Sequence, residues 1–174
     1  MERDPARFFT LELPHALRAC ANQLGRFVKS VRSDLAFVEN ATAGCNTVLA
    51  SIRLSPGDEI VVTDHGYPAI RKAAEYHAAR AGAAVVEATI PFPTTDPMQI
   101  INAVAARLGP RSRLVILDHV TSPTAVVFPV RELTFRCHEA GAKVMIDGAH
   151  APGMLALDIP AIGADWYVGN YTNG

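Results

Sequence analysis

Val144-Met145-Ile146-Asp147-Gly148-Ala149-His150-Ala151-Pro152-Gly153 decides the reading of this chain. Three consecutive apolar residues without polar alternation describe a strand buried on both faces, and Asp147 closes it. The glycines that follow mark a turn, which receives His150. A carboxylate and an imidazole placed just past a strand's carboxyl end lie where open α/β sheets bind their ligands. Each also has a plain alternative: Asp147 as a cap of the following turn, His150 as a satisfied turn histidine.

The same rhythm recurs on both sides of this stretch. Short apolar runs predict strands over 34–39, 59–63, 85–90, 113–117 and 143–146, with the start of another over 166–168. Between them, helical spacing runs over 8–30, 46–54, 67–81, 98–108 and 132–140. Leu17, Leu24, Phe27 and Val28 form the apolar stripe of the first helix, while Gly82 and Gly141 stop two of the others. Unalternating strands that take turns with helices predict an α/β fold, a three-layer α/β/α arrangement around a mostly parallel sheet.

Composition narrows the function classes. The 174 residues are 49% hydrophobic and 19% charged, with a net charge of -1, so neither nucleic acid nor an anionic membrane is an expected partner. No apolar run reaches the roughly 20 residues of a bilayer span, and Met-Glu-Arg-Asp does not read as a signal peptide. A cytoplasmic protein is expected. Cys20, Cys45 and Cys137 are odd in number and unclustered, which predicts buried free thiols and neither a disulfide frame nor a zinc site.

Five segments then carry a resemblance: Phe37-Val38-Glu39-Asn40-Ala41-Thr42, Leu54-Ser55-Pro56-Gly57-Asp58-Glu59, Thr63-Asp64-His65-Gly66-Tyr67, His119-Val120-Thr121-Ser122-Pro123-Thr124 and Asp147-Gly148-Ala149-His150-Ala151-Pro152-Gly153. In this order they resemble class V aminotransferases, and within them the isopenicillin N epimerase-like and cysteine desulfhydrase-like branch. The resemblance covers about Phe8 to Asn170. It implies the large-domain core of fold type I pyridoxal-phosphate enzymes, a small amino-acid substrate, and a homodimer for a full-length form. Epimerase, desulfhydrase or lyase, and transaminase chemistry all belong to this group.

The resemblance also implies roles. Asp147 takes the place of the aspartate that pairs with the cofactor's pyridine nitrogen, where a carboxylate favours the protonated, electron-withdrawing ring. His150 borders the phenolic oxygen, and Tyr67 stacks on the ring face, against the plain alternative of a core tyrosine. Ala41, Thr42 and Ala43 form the turn into a helix, where backbone N–H groups and a hydroxyl suit a phosphate; Thr42 as a simple N-cap is the rival. Ala43 replaces a frequent second threonine. Thr121 and Ser122 match the loop that touches the phenolic oxygen and the substrate, with Ala125 where glycine is usual.

The end of the chain departs from the pattern. Where the family continues to the lysine that links covalently to the cofactor, this sequence has Tyr171, Thr172 and Asn173, and an amide cannot form that link. Lys29, Lys72 and Lys143 match no motif and read as solvated charges. Residues 1–174 therefore read as a partial cofactor-binding large domain. The small carboxyl-terminal domain, with its carboxylate-binding arginine, is absent from the sequence. A truncated or altered, inactive fragment is expected; a non-catalytic protein that binds cofactor or partner is the alternative. A metal-dependent hydrolase built on Asp64, His65, Asp118, His119, Asp147 and His150 is a remote third, since neighbouring Asp and His residues of a strand face opposite ways.

Overall fold

Ile60, Val61, Leu114, Val115, Leu117, Val144, Met145 and Ile146 are fully buried, so the strands that hold them keep neither face in solvent. Each such side chain contributes about 1.5–3 kcal/mol on leaving water. The computed structural model describes residues 4–94 and 96–171. A helical arm opens the chain: α1 (Pro5–Arg7), a π-helical turn (Phe8–Glu12) and α2 (Leu13–Phe27). There follow α3 (Ala41–Ser51), β1 (Glu59–Thr63), α4 (Pro68–Ala81), β2 (Ala84–Ala88), α5 (Pro97–Ala105) and β3 (Ser112–Asp118). The last elements are α6 (Val130–Glu139), β4 (Lys143–Gly148), the short α7 (Ile159–Ile162) and β5 (Trp166–Gly169).

Among the described residues the five strands form one sheet in the order β2-β1-β3-β4-β5, and every neighbouring pair is parallel. The expected α/β class is what the chain adopts. Strand alternation splits the core in two. Val61, Val115, Leu117, Val144 and Ile146 pack on α5 and α6, while Ile60, Val62, Leu114, Ile116 and Met145 pack on α3 and α4. A third cluster, Val28, Val120, Ala151 and Leu157, holds the end of the helical arm against the loops. From β1 the chain steps to one side for β2, then crosses back for β3, β4 and β5. The reversal between β1 and β3 is a topological switch point, where a crevice opens at the strand carboxyl ends.

Four expectations are corrected. Residues 34–39 are not a strand: a 3-10 turn (Arg32–Asp34) leads into an unpaired extended stretch, and Phe37 and Val38 stay about half exposed. The first helix ends at Phe27, and of its stripe only Leu24 and Val28 pack, while Leu17 and Phe27 are exposed. The helix expected over 46–54 begins at Ala41, because the Asn40 side chain accepts the Ala43 N–H at 2.8 Å and is its N-cap. Thr42 is thus a first-turn residue and not the cap. Cys45 and Cys137 are buried, but Cys20 is exposed.

Candidate functional site

The carboxyl ends of β1, β3 and β4 set the site. Alternation puts Leu114, Ile116 and Asp118 of β3 on the α3/α4 face, together with Met145 and Asp147 of β4. Asp118 and Asp147 are register partners on these adjacent strands, and each is 5% exposed. After β1 the chain turns through Asp64, His65 and Gly66 to Tyr67, which stands at the N-terminus of α4 on this same face. A small cavity of about 10 Å³ lies at the switch point, lined among others by Thr63, Gly66, Tyr67, Asp118 and Asp147. The buried Thr63 hydroxyl at its wall has no hydrogen-bond partner.

Electrostatics in this crevice are those of carboxyl groups short of water. Burial, and then the neighbouring Asp147 charge, push Asp118 up to about 8, against backbone N–H groups of Tyr67 and of Asp118 itself that favour its ionised form. Burial also pushes Asp147 upward, opposed by the Ala149 N–H at 3.1 Å and by the nearby His150. The Cys45 thiol, on α3, is raised by burial and by both carboxylates, so it stays protonated.

The structure brings together only some of the residues singled out in the sequence. Tyr67, 44% exposed, and Asp147 line one cavity, although 80 positions apart in the chain. Ala41, Thr42 and Ala43 form the half-buried first turn of α3, a helix packed on α4, β4 and β5. Ala43 gives its N–H to the Asn40 cap, and the Thr42 carbonyl accepts from Asn46 Nδ2 at 2.9 Å. His150 is exposed on the turn after β4. Thr121 is buried and its hydroxyl is engaged by the Val126 N–H at 2.9 Å and by the Thr124 hydroxyl at 2.8 Å, while Ser122 is exposed. Asn173 lies outside the described residues.

Two relationships escaped sequence reasoning. His65 Nδ1 meets the Thr124 hydroxyl at 3.0 Å, so the 121–126 loop is tied to the turn that carries Tyr67. The paired burial of Asp118 with Asp147 was legible only as the matching Asp at the end of each apolar run. Three side chains of the hydrolase reading are engaged away from the crevice: Asp64 accepts the Ile90 N–H at 2.9 Å, His65 meets Thr124 and His119 meets Tyr167. Among the described residues no three His, Cys, Asp or Glu side chains are grouped to hold a metal. No described helix is long and apolar enough to cross a membrane.

Comparison with known proteins decides the family. The family model for aminotransferase class-V matches residues 9–169. The chain belongs to the class V aminotransferase family. This class V chain is 35% identical over 167 residues to isopenicillin N epimerase of Streptomyces clavuligerus, a match covering 96% of the chain and 42% of that protein. It is 39% identical over 152 residues to putative L-cysteine desulfhydrase 1 of Oryza sativa subsp. japonica, across 79% of the chain and 32% of that protein. Among solved structures, the cystine C-S lyase C-DES with its product cysteine persulfide superposes with a TM-score of 0.84 at 27% identity, covering 91% of this chain and 42% of that one. A C-DES mutant with glycine covalently linked to its PLP cofactor matches equally well, with a TM-score of 0.84 at 26% identity. The class V chain thus spans less than half the length of these relatives. The family is pyridoxal-phosphate-dependent, and its epimerase and cysteine desulfhydrase members are among the relatives this chain matches.

Proposed function

We propose that this chain is the cofactor-binding part of a pyridoxal-phosphate protein acting on amino acids, of the epimerase or cysteine desulfhydrase and lyase kind. The observation that carries the reading is the meeting of Tyr67 and Asp147 at one crevice of the switch point. The residues fit the group: an aromatic face, a buried carboxylate, and a helix of eleven residues whose first turn carries N–H groups and the Thr42 hydroxyl on the same side of the sheet. The cavity admits about one water molecule and no ring, so ring binding belongs to its mouth, where Tyr67 is exposed.

When bound, the cofactor supplies an electron sink for bonds at the substrate's α-carbon. Asp147 holds a negative charge toward the pyridine nitrogen and keeps that nitrogen protonated. Tyr67 fixes the ring plane and excludes water from one face. The first turn of α3 receives the phosphate at Ala41 and Thr42, while Ala43, whose N–H is held by the Asn40 cap, only shapes that turn. His150, Thr121 and Ser122 border the phenolic oxygen in this reading, with Thr121 acting through the loop that its hydroxyl holds together. A homodimer and a cytoplasmic setting belong to the same reading, the latter supported by three free cysteines.

Asn173 in place of a lysine favours non-covalent cofactor binding without turnover. Pyridoxal phosphate titrated into the purified chain should quench the single tryptophan, Trp166, and borohydride should leave no pyridoxyl-lysine. Asp147→Asn should weaken binding about 10- to 100-fold, the worth of a charge-assisted hydrogen bond. Equal binding by wild type and Asp147→Asn would sink the reading.

A further inference from the structure

Asp118 has no part in the reading above, yet it shares the crevice with Asp147. The two carboxyl groups leave adjacent parallel strands at the same level, on one face, each 5% exposed. Carboxyl groups so placed cannot both ionise at small cost, because each charge is out of water and repels the other. Their surroundings decide which one keeps the proton.

Every packed element contributes a group. From the turn after β4, Asp147 receives the Ala149 N–H and the nearby His150. From β5, the Tyr167 phenol lies within reach of the Asp147 charge and is itself pushed upward by burial. From α3 comes the protonated Cys45 thiol, and from the end of β1 the unpartnered Thr63 hydroxyl. From α4, Arg71 lines the cavity, but its guanidinium pairs with Glu75 and Glu87. The Tyr67 backbone N–H, at the start of α4, is the link to Asp118. Among the described residues no cation is paired with Asp118, whereas Asp147 has His150 beside it.

We propose that Asp118 is a positioning residue of this site: it carries the one proton of the Asp118–Asp147 pair, leaving Asp147 as the anion, and its carboxyl oxygens hold the backbone of Tyr67. This assignment rests on the cofactor reading for its purpose. One carboxyl group thereby joins the two cofactor-facing residues, fixing the charge of one and the place of the other. Asparagine reproduces both properties, since it is neutral and keeps an acceptor oxygen. Alanine keeps only the neutrality.

The first arm uses the chain without cofactor. Carbon-13 carboxyl spectra of labelled aspartate, followed from pH 4 to pH 10, should show one resonance with its midpoint near about 8, absent in Asp118→Asn and lowered by at least about one pH unit in Asp147→Asn. An Asp118 midpoint in the ordinary carboxylate range, or one that ignores Asp147→Asn, overturns the proton assignment. The second arm measures pyridoxal phosphate affinity at pH 7. Asp118→Asn should bind within about threefold of wild type and Asp118→Ala at least about fivefold more weakly, with circular dichroism confirming that both are folded. Loss in Asp118→Asn equal to that in Asp118→Ala overturns the proposal. A wild-type chain that titrates near 8 but takes up no pyridoxal phosphate rejects the cofactor reading, and the positioning role with it, while the shared proton stands.

Discussion

His119 Nδ1 and the Tyr167 hydroxyl lie 2.9 Å apart, on the opposite side of the sheet from Asp118 and Asp147. Burial lowers the imidazole's tendency to charge and opposes ionisation of the phenol, so the pair is neutral on both sides. A histidine whose folded value is depressed binds fewer protons folded than unfolded, and stability is lost as pH falls below about 6.5. Tyr167→Phe should cost about 1 kcal/mol, measured by urea unfolding at pH 8. His119→Gln should flatten the acid-side slope; an unchanged slope would show that His119 is charged in the folded chain.

Asp118 gives the opposite sign. Its folded value, about 8, stands above that of an unfolded aspartate, so between roughly pH 4 and pH 8 the folded chain holds the extra proton. Stability should therefore fall as pH rises through this window, by up to about 1.4 kcal/mol per pH unit, and level off above it. Asp118→Asn should remove that slope and unfold at higher temperature than wild type at pH 8. A variant less stable than wild type at pH 8 would count against a protonated Asp118.

Gly148 is required by its neighbour. A Cβ at this position would lie 2.3 Å from the Tyr167 ring. Gly148→Ala should cost about 1–3 kcal/mol by overpacking. Combining it with Tyr167→Leu should recover part of that loss in a double-mutant cycle of thermal unfolding, because the smaller side chain vacates the contact. Additive losses would place the strain elsewhere.

Ala125 adopts φ 53°, a left-handed conformation that a side chain disfavours. Ala125→Gly should stabilise the chain by about 0.5–1 kcal/mol without altering the loop's hydrogen bonds. Amide exchange of Val126, whose N–H bonds to Thr121, reports whether the loop is kept.

Much of this is legible in the sequence. Apolar runs such as 59–63 and 143–146 reach strand identity directly, because burial on both faces leaves no polar alternation to confuse. Asp147 announced itself by ending one of them. The run over 34–39 misled because its apolar residues look alike whether they enter a sheet or lie half exposed beside one. Asn40 was overlooked as a cap in favour of the more motif-like Thr42, although its side chain is among the best N-cap types. The Asp118–Asp147 pairing depends on the register of two strands about 30 residues apart in sequence, and runs buried on both faces lack the alternation from which register is read.

Asp118 and His119 are consecutive residues, and strand alternation sends them to different sides of the sheet. One joins an acid pair that retains a proton, the other a neutral imidazole–phenol pair whose phenol still feels the Asp147 charge. A slip of β3 by a single residue against β4 would trade these positions, moving the imidazole toward Asp147 and the carboxyl group toward the phenol. Strand register in this protein is thus a chemical address: the ladder that aligns Asp118 with Asp147 also decides which side of the molecule carries acid and which carries base.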